Sequence, residues 1–224
     1  MEIFLQSVKK FRVLWIVVII TVVVTFIGDQ TRRNREYLFY PEALDMVLAT
    51  VGEESITLRE FALYVAHQEM EVQEQANIYD PEDTRKYWNI HTNGAYISHI
   101  ARDEAMAMAI HDELFYQIAM ELQLTLSEEE MEILQQDVDD FWYDVTDDGK
   151  EEKLGIIKED IYLAMEKIAF AQKAQFICAG IDGVSYSDYD FHEEEFMDFL
   201  SDYEYKVNDK VLNRLDFGDI TLEH

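Results

Sequence analysis

The run Asp144-Val145-Thr146-Asp147-Asp148-Gly149 has the residue types of half a calcium loop, with acids at positions one and five and glycine at six. The twelfth position must supply both oxygens of a glutamate, and it is Gly155, so the run reads as a solvated acidic turn. A di-iron bundle needs Glu-x-x-His pairs. The residues three before His67, His91, His99, His111 and His192 are Tyr64, Trp88, Tyr96, Met108 and Tyr189. His192-Glu193-Glu194-Glu195 lacks the second histidine of a metalloprotease helix. Cys178 is the one cysteine, so no internal disulfide can form and no CxxC partner activates it. No glycine-rich phosphate loop and no GxSxG elbow occurs. The sequence therefore predicts no catalytic residue, no cofactor and no metal site.

Binding without bond chemistry suits the residues better. Met106, Met108 and Met120, with Phe115 and Tyr116, place soft, adaptable side chains on one long helical run, where they either fill a core or meet varied partners. Tyr79, Tyr87 and Trp88 fall in a loop-like stretch and are candidates for exposed contacts. These eight residues are the predicted client-binding set.

The charge balance narrows the partners. The 224 residues carry 18 basic and 47 acidic side chains, a net charge of −29. Six of the basic residues and three of the acids flank an apolar N-terminal stretch, which leaves 12 basic against 44 acidic from Tyr37 onward. No basic surface remains to neutralise phosphates, so nucleic acid is excluded as an expected partner. An apolar fraction of 49% argues against disorder, and only 2 Pro and 8 Gly favour long helices.

The N-terminal stretch from Phe11 to Gly28 holds no acid and one base, at Arg12. About 18 residues reach roughly 27 Å as a helix, enough to cross a bilayer core. Its exit, Thr25-Phe26-Ile27-Gly28-Asp29, has a bulky Phe where a cleavage site needs a small residue. The stretch is expected to be an uncleaved signal-anchor contacting the membrane through Phe11–Gly28. Residues 1–10 are then a cytoplasmic tail, 29–45 a juxtamembrane linker and 46–224 the folded domain. Flanking charges are nearly balanced, and the short tail tips the orientation to N-inside with the domain outside.

Within the domain, Met46–Val51, a Gly52-Glu53 turn and Ser55–Thr57 read as a small hairpin, Gly suiting the first central position of a type II′ turn. Thr57-Leu58-Arg59-Glu60 reads as a capping box opening a helix to about Gln75. Asn77–Asn93 reads as a loop or short irregular helix. Ala95–Gln123 reads as a long central helix, Ser127–Tyr143 as a capped acidic helix, Lys150–Phe176 as a third long one and His192–Asp202 as a short one. Tyr203–Val207 alternates like a strand, and Phe217–Leu222 is read as another.

This order of elements, with Ala49-Thr50-Val51-Gly52-Glu53-Glu54-Ser55-Ile56-Thr57 ahead of a helix, resembles the start of the chaperone domain in the SurA/PrsA/PpiD group of bacterial extracytoplasmic folding factors. Glu121-Leu122-Gln123-Leu124-Thr125-Leu126-Ser127-Glu128-Glu129-Glu130 resembles that group's second landmark, where a glycine usually stands in the place of Gln123. Tyr205-Lys206-Val207-Asn208 and Leu215-Asp216-Phe217 resemble its returning C-terminal strand. The prolyl isomerase domain that commonly sits before that strand has no counterpart, since only residues 177–196 occupy its place.

The resemblance implies a mainly α (α+β) fold: one transmembrane helix, then a SurA-like helical chaperone domain whose ends are joined by a small β-hairpin and strand pair. It implies a single-pass protein of the bacterial cell membrane with its domain extracytoplasmic, binding unfolded or secreted polypeptides without catalysis. The alternatives are a fixed-partner scaffold for a membrane complex and a degenerate prolyl isomerase homologue.

Overall fold

The computed structural model describes residues 37–223, and the chain divides between Phe39 and Tyr40. From Tyr40 onward it is a bundle of helices closed at one end by a three-stranded sheet. The sheet begins with β1, Val47–Val51, and β2, Glu54–Thr57, which pair antiparallel through the Gly52-Glu53 turn. Gly52 takes a φ of 58°, the left-handed value a type II′ turn requires at its first central residue. A distant strand, β5, Tyr205–Val207, pairs antiparallel with β1 and places β1 in the middle. Leu48, Val51 and Ile56 point from this sheet into the core with no exposure.

Helix α1, Leu58–Tyr79, starts at Thr57, whose hydroxyl accepts from the Glu60 amide. Only half of the expected capping box forms, because the Glu60 carboxylate turns away to a lysine described below. Then come a short helix α2, Arg85–Trp88, and a two-residue hairpin of β3, His91–Thr92, and β4, Ala95–Tyr96. Asn93 and Gly94 between them have φ of 50° and 90°. This is the Asn-Gly pair that a type I′ turn demands.

Helix α3, Ile97–Glu121, buries a stripe of Ala101, Ala105 and Ala109, which lets α6, Lys158–Asp182, approach closely as its principal neighbour. The end of α3 explains the landmark at Gln123. That residue has a φ of 55°, and the Leu124 amide donates to the Ala119 carbonyl, the Schellman closure that usually employs glycine. Helix α4, Glu128–Asp147, begins with a full capping box between Ser127 and Glu130 and packs on α6. The expected single helix from Lys150 is two, α5 at Lys150–Leu154 and then α6. The break is at Gly155, with a φ of 72° and a Cβ position only 2.7 Å from Pro41, so no side chain fits. Helix α7, Glu194–Leu200, and α8, Asp209–Leu212, flank β5.

Two expectations are corrected. No helix among the described residues is long and apolar enough to cross a membrane, so the fold class is stated without a transmembrane element, as a mainly helical domain with a small sheet. The expected span Phe11–Gly28 lies outside the described residues. The single-pass, extracytoplasmic placement built on that span is not supported by any helix of the described residues. The expected strand at Phe217–Leu222 is also absent. That segment is a series of turns, because its amides are spent on a buried side chain.

That side chain is Glu69 of α1, wholly buried. Its carboxylate accepts from the amides of Gly218 (2.6 Å), Ile220 (3.3 Å) and Thr221 (2.7 Å) and from the Thr221 hydroxyl (2.5 Å). Burial pushes the carboxyl above its ordinary range, and the four donors partly offset this. Gly218 is packed beneath Trp88, whose ring atoms lie 2.8 Å from where a Cβ would stand.

Candidate functional site

Helices α1 and α4 both pack on α6 but share no extended interface with each other, and a cleft runs between them. On α1 the cleft-lining positions Tyr64, His67, Glu71 and Glu74 recur at three- and four-residue intervals, one face of the helix. Phe141 and Asp144 do the same from α4. His67 and Phe141 line both halves of the cleft and mark where they meet.

The inner half is a hollow of about 300 Å³ with mainly apolar walls: Leu63, Met108, Phe141, Met165, Ile168 and Phe191. At its base is a polar cluster. Asp112 of α3 accepts from the Tyr64 hydroxyl at 3.0 Å and meets His111 Nδ1 at 2.8 Å, while His111 Nε2 lies 2.9 Å from the Tyr189 carbonyl oxygen. Both ring nitrogens of His111 are thus engaged by internal partners. Burial first, then the Asp112 charge, holds the Tyr64 hydroxyl well above its ordinary pKa, so it stays a donor. The Tyr189 hydroxyl, pushed up to about 12 by burial and its bond to Asp182 (2.6 Å), likewise stays protonated.

The bond to Tyr189 fixes the segment after α6 that supplies Tyr186, Asp190 and Phe191 to the hollow. Gln175 holds the same segment through the Tyr186 carbonyl (3.1 Å) and Asp190 (3.2 Å).

The outer half is larger, about 560 Å³, and acidic. Glu71, Glu74, Asp144, Asp147 and Asp148 line it, with Lys150 as the one cation, already ion-paired to Asp148 at 2.6 Å. The half calcium loop therefore contributes to this wall. Among the described residues no group of three or more His, Cys, Asp or Glu is placed to hold a metal.

Of the eight predicted contact residues, Met108 alone lines the cleft, where it also accepts from Gln68. Met106 and Phe115 are core, and Phe115 stacks on Phe199 with ring centroids 5.7 Å apart. Trp88 is buried with its indole N–H on Gln73 (3.0 Å), a docked rather than a displayed ring. Tyr79 and Tyr87 lie against each other outside the cleft, and Met120 is exposed near the end of α3. Tyr116 faces a separate hollow of about 310 Å³, where the Lys167 ammonium stands 5.1 Å from its ring.

That lysine also donates to Glu60 (2.8 Å) and to the buried Glu113, whose other oxygen accepts from Gln117 (2.7 Å). One ammonium cannot neutralise two carboxylates. Burial lowers the Lys167 pKa, but the two carboxylates more than reverse this and hold it charged; at Glu60 burial outweighs the shared cation and raises the carboxyl.

The residues that sequence reasoning missed are His67, Phe141, Met165 and Ile168. Their types are ordinary for helix faces; only the gap left between α1 and α4 makes them a site.

No protein-family profile, curated protein or solved structure matches the chain. The cleft is therefore interpreted from its own chemistry.

Proposed function

We propose that this chain is a chaperone-like polypeptide-binding protein that holds extended segments in the cleft and makes or breaks no bond. The observation that carries this reading is the inner hollow, an apolar recess open to solvent and lined by Met108, Met165 and Phe141, side chains that adapt to varied shapes. The absence of bond chemistry rests on the groups nearest to it. Of those lining it, His111 has both nitrogens engaged by internal partners; the Cys178 thiol, raised by burial and then Asp182, is not part of the lining. The motif resemblance to the SurA/PrsA/PpiD folding factors points the same way.

The test is suppression of light scattering by several unrelated chemically denatured proteins mixed with the full-length chain. Suppression is expected, and Phe141→Glu should remove it while leaving the far-UV spectrum and melting temperature near wild type. Failure with every denatured protein, alongside one stoichiometric copurifying partner, would replace this reading with a fixed-partner scaffold.

A further inference from the structure

We propose that the segment held in the cleft carries a large apolar residue with one or two Lys or Arg side chains three to four residues away. This rests on the proposed function and adds the chemistry of the partner.

The two halves of the cleft differ sharply in charge and are arranged in line along α1. The inner hollow is apolar, whereas the outer one presents five carboxylates against one lysine that is already paired. The Glu71 side chain is 55% exposed, so it meets an incoming cation without being desolvated first, whereas Asp148 is already held by Lys150. From Tyr64 in the inner half to Glu71 and Glu74 in the outer half is a rise of about 10–15 Å along the helix axis. An extended chain covers that distance in roughly three to four residues. An apolar side chain seated in the inner hollow therefore places the residues three and four further on beside the carboxylates. A second copy of this chain is a poor occupant, because two chains of net charge −29 repel.

The experiment uses labelled twelve-residue peptides of Gly, Ser and Gln carrying one Phe and, three and four residues on, Lys-Lys, Gln-Gln or Glu-Glu, each made in both orders. Affinity for the full-length chain is read by fluorescence anisotropy at about 50 and about 500 mM salt. In at least one order the Lys-Lys peptide is expected to bind roughly tenfold tighter than the Glu-Glu peptide at low salt, with the gap shrinking below about twofold at high salt. The triple variant E71Q/E74Q/D144N should bring the Lys-Lys peptide to the level of the Gln-Gln one and leave the latter unchanged, with an unaltered far-UV spectrum.

Equal binding of Lys-Lys and Glu-Glu peptides that still requires Phe overturns this inference while the cleft reading stands. A Lys-Lys peptide that binds as well without its Phe also overturns it, since the mouth would then be a plain charge patch. No binding by any peptide overturns both, as does a dimer in sedimentation that Phe141→Glu dissociates.

Discussion

Helix α1 is fastened on two opposite faces by two different kinds of chemistry. Glu60 is reached by the Lys167 ammonium, which it shares with Glu113, whereas Glu69 is held by main-chain amides of residues 218–221 without any cation. Nine residues of helix turn the second carboxylate about half a revolution from the first. A lysine on four methylenes can follow small movements of either helix. A set of amides cannot, because their directions are fixed by the backbone that carries them. The Lys167 clamp therefore tolerates adjustment between α1, α3 and α6, while the Glu69 clasp specifies one position of the C-terminal turn.

The largest effect expected from breaking this contrast is at Glu69. Glu69→Ala leaves three amides and a hydroxyl buried without their acceptor, and should cost about 4 kcal/mol in denaturant unfolding. Hydrogen exchange should show the amides of Gly218 and Thr221 losing protection in the folded state. Undiminished protection there would mean that the turn is held by Trp88 and Phe217 packing, and the clasp would be incidental.

Lys167→Met comes second, at about 3 kcal/mol, because it strands Glu113 at 1% side-chain exposure while Glu60 at 21% keeps some water. The paired substitution Lys167→Met with Glu113→Gln should recover part of that loss. A double variant no better than the single one would show that the lysine stem, and not its charge, supplies the stabilisation.

The smallest effect is a pH dependence at Asp216, in the same C-terminal turn as the clasp. Burial, then the neighbouring Asp219, raises its carboxyl to about 6, with Arg85 opposing. A folded-state pKa above the unfolded one means stability that is complete below about pH 4 and lost as pH rises through about 6. Asp216→Asn should thus lose less melting temperature than wild type between about pH 4 and 7, by a few degrees. Parallel curves for the two proteins would refute it.

Local signals were legible and distant ones were not. Ser127 and Glu130 announce a capping box and form one, with bonds of 2.6 and 3.2 Å. Thr57 caps α1 as its spacing predicts, yet Glu60 leaves the box for a lysine 107 residues away, which no window around it could reveal. The 91–96 hairpin was missed despite its Asn93-Gly94 signal, since one two-residue strand falls at the end of the expected loop and the other at the start of the expected long helix. Phe217–Leu222 is read as a strand, but its amides bond to Glu69 149 to 152 residues earlier. The site followed the same division. Met108 stood out by type, whereas His67 and Phe141 became lining residues only through the packing of α1 and α4 on α6.

The separation between Glu69 and its amide partners also sets the order of events during synthesis. Glu69 emerges from the ribosome early, while residues 218–221 follow about 150 residues later, and β1 waits slightly longer for β5. At translation rates of about 5–20 residues per second, that is a delay on the order of ten seconds or more. Throughout it, α1 must keep a carboxylate in water that the finished domain encloses. A product cut short before Gly218 lacks every one of the donors that hold the Glu69 carboxylate in the finished domain.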